Sequence, residues 1–232
     1  MPVFEFDSGD DNLGGDIRAW KAKEGEKYHL SVVWWPGSEE GTPDLDAKSP
    51  RFSGALRHYK AGVGYFLNKG AEYTKLAAEK PSQAIVTIIA LWPINSKGQV
   101  DKARLMEKEY DIRPWVFSRQ KYGILKTRHA EFPLGEHDLK IKCEDTQYQS
   151  LDISPAKNNL FRQLQSSTEP KLKEVFEDIV KKAQELITDI DSHMGRDMTL
   201  DELREALGLS VSKPAESLTS DVEIDELLDD LD

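Results

Sequence analysis

Apolar positions along the chain fall into two regimes. Up to about residue 155 they come in short runs broken by Gly, Pro, Asn and Asp, the pattern of strands and turns. Beyond it they recur at helical spacing. The run Tyr-His-Leu-Ser-Val-Val-Trp-Trp in residues 27–35 is rich in β-branched and aromatic residues and stops at Pro36-Gly37, which predicts a first strand. Residues 57–67 predict a second, in which Gly62 and Gly64 would permit a bulge or the close approach of a ligand. A short helix over 71–80 ends at Pro81, and 83–92 is the most continuous apolar strand, built on Ile85, Val86, Ile88, Ile89 and Leu91. A turn at 93–98 precedes an alternating stretch at 103–112, read as a strand. Pro114 then opens a helix over 115–125, because a missing N–H costs nothing at the first helical position. Residues 137–144 and 148–153 pair as a closing hairpin.

Five or six short strands with one or two helices among them predict a mainly β domain with helices, a small β-barrel, rather than a βαβ sheet. From Pro170 onward Leu172, Val175, Phe176, Ile179, Val180, Ala183, Leu186, Ile187 and Ile190 line one face of a long amphipathic helix. A second, short helix starts at Thr199, with Glu202 completing a capping box, and ends at Gly208. The organisation expected is a flexible acidic arm at 1–16, a β-barrel domain at 17–165, a helical extension at 166–208, and a linker with a disordered acidic tail at 209–232.

Charge sharpens this division. The net charge of −11 argues against a nucleic-acid partner until it is located: residues 1–165 carry 24 Lys and Arg against 23 Asp and Glu, whereas residues 166–232 carry 7 against 19. Residues 17–128 hold 20 basic and 12 acidic side chains. A basic body with an acidic appendage is expected, the two attracting each other at short range and screened by salt. The longest strongly apolar run, residues 84–93, is half of the roughly 20 residues a membrane helix needs. The start, Met-Pro-Val-Phe-Glu-Phe-Asp, lacks the basic and apolar stretches of a secretion signal. A cytoplasmic protein with no membrane partner is expected. Cys143 is the only cysteine, so neither an internal disulfide nor a multi-thiolate zinc site can be built.

The basic middle is interleaved with rings. Trp34, Tyr59, Lys60, Tyr65, Phe66, Trp92, Arg113, Trp115, Arg119, Lys121, Tyr122, Lys126 and Arg128 supply the two ingredients of single-strand binding, cations for phosphates and aromatic faces for bases. Trp35 and Trp92, flanked by Val or Leu, suit a core at least as well as a stacking platform, whereas Tyr59, Tyr65 and Tyr122, beside Lys or Gly, favour the surface. The terminus Asp-Val-Glu-Ile-Asp-Glu-Leu-Leu-Asp-Asp-Leu-Asp spaces Val222, Ile224, Leu227, Leu228 and Leu231 as an apolar stripe among acids. A plain solubilising tail has no use for those side chains; a linear motif that folds on a partner's groove does. A helix docked on its own domain is the other reading.

Catalytic signals fail on inspection. His129-Ala-Glu131 lacks the paired cysteines of a zinc deaminase. Ala61-Gly-Val-Gly-Tyr65 lacks the Gly-Lys-Ser/Thr end of a phosphate loop. In the stretch 189–202, Met194 and Leu200 stand where a calcium loop needs glycine and a bidentate acid. Neither an enzyme nor a cofactor is expected.

The segment Ile224-Asp225-Glu226-Leu227-Leu228-Asp229-Asp230-Leu231 resembles the acidic end of the helix-destabilising single-stranded DNA-binding proteins of T-even bacteriophages. The order of elements ahead of it is similar as well, so the resemblance spans most of residues 17–232. It implies an OB fold binding single strands in a cleft of aromatics and cations. It also implies a tail, residues 224–231, that contacts polymerase, helicase loader and recombination proteins during phage DNA replication, recombination and repair in the host cytoplasm. The family's zinc module has no counterpart here, nor does its basic N-terminal self-association motif. A replication or recombination adaptor that binds only proteins is the alternative expectation.

Overall fold

The computed structural model describes residues 19–145 and 150–209. The elements in chain order are β1 (Lys27–Val32), β2 (Ser53–Lys60), β3 (Gly64–Leu67), α1 (Ala71–Ala77), β4 (Ser82–Leu91), α2 (Lys102–Met106), β5 (Asp111–Ser118) and α3 (Arg119–Glu131). They continue with β6 (Leu139–Cys143), β7 (Leu151–Pro155), α4 (Leu160–Gln165), α5 (Pro170–Ile187), a 3-10 turn (Ile190–His193) and α6 (Leu200–Ala206).

All seven strands join one antiparallel sheet in the order β3-β2-β4-β1-β6-β7, with β5 added on β4. The apolar run of β4 is buried from Ala84 to Ala90, as befits a strand covered on both faces. Strand β5 accompanies it from Ala84 to Leu91, while its other edge is divided between β2, opposite Ser82 to Val86, and β1, opposite Ile89 to Leu91. Among the described residues β5 and β7 are not paired, so the sheet is open where a closed barrel was expected. The backbone just ahead of β1 is tied to β5 and β6: the Trp20 N–H donates to the Pro114 carbonyl at 2.8 Å and the Gly25 N–H to that of Cys143 at 2.9 Å.

Strand alternation sorts the side chains onto two faces. Leu30, Val32, Ile85, Ile89, Trp115 and Phe117 share one face with Leu139, Ile141 and Ile153, and lie in the main core. Ala84, Val86 and Val116, on the other, pack with Met194. Helix α5 buries Val175, Ile179, Ala183, Leu186 and Ile187 and packs on α2, α4, β4 and β5. It is fastened by Asp178, whose carboxylate accepts from the Tyr110 hydroxyl at 2.5 Å and pairs with Lys182 at 2.7 Å. Burial alone would raise the Asp178 pKa, but the bonds from Lys182 and Tyr110 outweigh it and hold the group below its ordinary 3.8. Stability from a depressed carboxylate is present above the unfolded-state value and lost as pH falls through the folded one. Asp178→Asn is therefore expected to lower the thermal midpoint at neutral pH, with the difference from the parent shrinking as the pH drops below about 3.8; a constant difference from pH 7 to pH 3 contradicts this assignment.

The described residues divide into two compact units, one ending at Asp197 and the other beginning at Met198. In the second, the expected capping box is present at α6, the Thr199 hydroxyl accepting from the Glu202 N–H and the Glu202 carboxylate from the Thr199 N–H at 2.6 Å.

Three sequence expectations are corrected. Residues 57–67 are not one strand but most of a hairpin, β2 turning into β3 across Gly62 and Gly64 at φ +82° and +83°, values open to glycine. The alternating stretch 103–112 begins as helix α2, because the Asp101 side chain caps the N–H groups of Ala103 and Arg104. Pro114 and Trp115 lie within β5 rather than in a helix. The Pro114 carbonyl points away from β4, to Trp20, and an antiparallel residue directs its N–H and C=O to the same side, so the donor that proline lacks has no ladder partner to lose. Of the expected strand 148–153, residues 148 and 149 lie outside the described residues, as do the arm at 1–16 and the terminal segment 224–231.

Candidate nucleic-acid interface

The most prominent exposed rings are on the β2–β3 hairpin. Register places Tyr59 directly opposite Tyr65, and the two rings meet at 5.0 Å and 57° with exposures of 53% and 42%. The Arg57 guanidinium lies over the Tyr65 ring at 3.8 Å and donates from Nη1 to the Met194 carbonyl at 2.8 Å. Burial lowers its pKa from the ordinary value. A cation held so close to a ring face is attracted by the ring's quadrupole and fixes the ring for an incoming planar group.

Both faces of the hairpin are supported. On one, His58 stacks on Phe66 at 5.4 Å, and the Lys60 ammonium donates to the Ala77 carbonyl of α1 at 3.1 Å. Burial holds the His58 pKa below its ordinary value, the neighbouring Asn68 and Glu79 opposing in part. On the other, residues 191–197 cross the sheet. Asp191 accepts from the Ser53 hydroxyl at 2.9 Å, the Arg196 N–H donates to the Tyr65 carbonyl at 2.9 Å, and Lys69 pairs with Asp197. Gly195 permits this crossing, since a Cβ there would come within 3.1 Å of the Phe66 backbone. The tyrosine pair thus projects from a braced platform, which limits the entropy lost when a ligand orders it.

A second basic element is α3, which buries Leu125 and leaves much of its surface to solvent. Arg119 and Lys126 are exposed, Arg128 pairs with Glu131 at 3.3 Å, and Lys121 is half-buried, burial lowering its pKa. Tyr122 is partly buried against Phe52 at 5.2 Å. Arg113 is tied to Asp111 at 2.7 Å. Four of the residues expected to stack are core instead: Trp34, Phe66, Trp92 and Trp115 are 5%, 0%, 4% and 0% exposed and offer no ring face to a base. Trp115, for instance, packs between Trp20 and Phe117. Sequence reasoning missed Arg57, whose position two residues before Tyr59 on an alternating strand was the signal that both share a face.

Comparison with protein-family models, with curated proteins and with solved structures finds no match to this chain.

Among the described residues no helix is long and apolar enough to cross a membrane, and no group of three or more His, Cys, Asp and Glu side chains is placed to hold a metal ion. His129, part of the His-x-Glu stretch, has its Nε2 within 2.8 Å of the Lys48 carbonyl and its Nδ1 accepting from the Leu134 N–H. Both ring nitrogens serve the local fold.

Proposed function

We propose that this protein binds single-stranded DNA and does no chemistry on it, protecting and organising the strand during phage DNA replication, recombination and repair. In this reading residues 224–231 recruit replication proteins, such as polymerase or a helicase loader, in the host cytoplasm. The observation that carries the reading is the braced, exposed Tyr59–Tyr65 pair with Arg57 over its ring. Base stacking on aromatic side chains is worth about 1–3 kcal/mol each and tolerates any sequence.

The sheet adds support. Strands β1, β4, β5, β6 and β7, with α3 between the third and fourth of them, have the count and partly open character of an OB fold; β2, β3 and α1 are then an insertion. In OB folds the second and third strands present the oligonucleotide face. Here those strands are β4 and β5, and Ala84, Val86 and Val116 are covered by Met194. The strand is accordingly assigned to the inserted hairpin, with Arg119 and Lys126 of α3 as phosphate contacts.

Anisotropy of labelled oligothymidylate titrated with the full chain tests this. Tight, salt-sensitive binding is expected for the single strand and much weaker binding for a duplex of equal length. Equal affinity for both, or none for either, sinks the reading and leaves the protein-binding adaptor. Arg119→Glu and Lys126→Glu are each expected to reduce the slope of log affinity against log salt by about 0.7, the single-strand value for one phosphate contact, with little effect on stability. An unchanged slope removes α3 from the interface.

A further inference from the structure

A cavity of about 480 Å³ lies away from the tyrosine hairpin, walled by β1, β6, α2 and α4 and the start of α5. Its floor is aliphatic: Val100, Leu105, Leu160, Leu164 and Leu172. One wall is stiffened by buried Asp138, which accepts from Ser31 Oγ, lies 3.0 Å from His29 Nε2, and accepts from the Leu160 N–H at 3.1 Å, tying β1 to the start of α4. The groove is preformed and needs no rearrangement to be used.

Its rim is cationic. Lys102, Lys140 and Lys157 are all exposed, and none has an ion-pair partner among the described residues. The exposed acid of the lining is Glu169. No Phe, Tyr or Trp lines the groove, so it lacks the ring faces that a nucleobase stacks on. Aliphatic side chains flanked by carboxylates are the chemistry it fits.

This chain carries a segment of that composition. Residues 221–232 hold seven acids, no base, and Val222, Ile224, Leu227, Leu228 and Leu231. Eleven residues, 210–220, separate that segment from the last described residue, a connection that can span up to about 40 Å, enough to reach a neighbouring molecule. We propose that this groove receives the acidic, leucine-bearing terminal segment of a second copy of the chain. The apolar side chains seat on the floor, and the carboxylates face the three lysines. Copies are joined head to tail, a heterologous contact that can extend without closing. The proposed contact stands apart from DNA binding, and its association is measured in the absence of DNA.

Sedimentation of the full chain over a concentration series is the measurement. The weight-average mass is expected to climb above the 26.3 kDa of one chain at low salt and to fall back at high salt. A variant with Lys102→Glu, Lys140→Glu and Lys157→Glu, and another with Leu227→Ala, Leu228→Ala and Leu231→Ala, should each associate at least tenfold more weakly. Circular dichroism checks that both remain folded. Mixing the two variants is the deciding step, because the first keeps its terminal segment and the second its groove: one productive contact is restored, and mixed dimers should form. A mass that stays at one chain throughout overturns the proposal, as does wild-type association by the lysine variant or failure of the mixture. A lysine variant that loses oligothymidylate affinity while associating normally assigns the groove to nucleic acid instead.

Discussion

Replacing Tyr59 and Tyr65 together by alanine is expected to weaken oligothymidylate binding by a factor of about 30 or more, while the thermal midpoint hardly moves. The asymmetry follows from where the rings lie. Both are exposed, so their removal opens no cavity. If each stacks on one base at about 1–3 kcal/mol, even the lower bound for two is about 2 kcal/mol, close to 30-fold in affinity. Tyr65→Ala should be the more damaging single change, because Arg57 loses the ring face it lies on and retains its bond to the Met194 carbonyl. Tyr→Phe at either position should bind almost as well as the parent, since stacking uses the ring and not the hydroxyl. Anisotropy titrations of the parent and each of these variants decide the matter. A double alanine variant within threefold of the parent removes the hairpin from the interface. Intrinsic tryptophan emission is a poor probe here, because all five tryptophans are buried.

One chemical change should have opposite effects at two glycines. Gly135 sits in the turn after α3, where an added Cβ would lie 2.6 Å from the Leu45 carbonyl oxygen and 3.4 Å from the Trp35 ring. Neither neighbour can yield readily, one being backbone and the other fully buried. Gly135→Ala is expected to cost about 1–3 kcal/mol as an overpacked site, and for a domain of this size each kcal/mol lowers Tm by about 2–4 °C. Gly123 is in the middle of α3 with nothing within 4 Å of such a Cβ. There the substitution should raise stability by about 0.5–1 kcal/mol, since alanine is the better helix former. Thermal unfolding of both variants is the check; a Gly135→Ala protein as stable as its parent means that the 36–47 loop relaxes around the turn.

What could be read from the sequence depended on whether the deciding interaction was local. The strand β4 was legible because a continuous apolar run bounded by Pro81 and Pro93 has few other solutions. The capping box at Thr199 and Glu202 was legible because both partners lie within four residues. Pro114 is not legible for the opposite reason: whether a proline opens a helix or lies in a strand depends on what its backbone faces, and here that is Trp20, 94 residues away. The start of α2 carries a local cap signal in Asp101 ahead of Lys-Ala-Arg-Leu, and this cap outweighs the strand-like alternation that follows it.

The candidate binding face divides in the same way. Tyr59 and Tyr65 were placed at the surface from their Lys and Gly neighbours, and the structure has them exposed. Trp115, two residues from Arg113, has the local context of a stacking ring, yet it is enclosed by Trp20 from a distant part of the chain; Trp92, whose apolar neighbours already suited a core, packs on Tyr110. Composition identifies a ring-rich basic region; only the fold decides which rings face water.

The hairpin also guards a hydrogen-bonding edge. Its first strand covers the half of β4 that β1 does not reach, so excising residues 53–67 would uncover a row of backbone donors and acceptors beside one of the most apolar stretches of the chain. Such an edge invites strand addition between molecules. A deletion mutant would therefore precipitate before its affinity could be measured, and evolutionary loss of the tyrosine platform would have to proceed by side-chain replacement, with the ribbon beneath it retained.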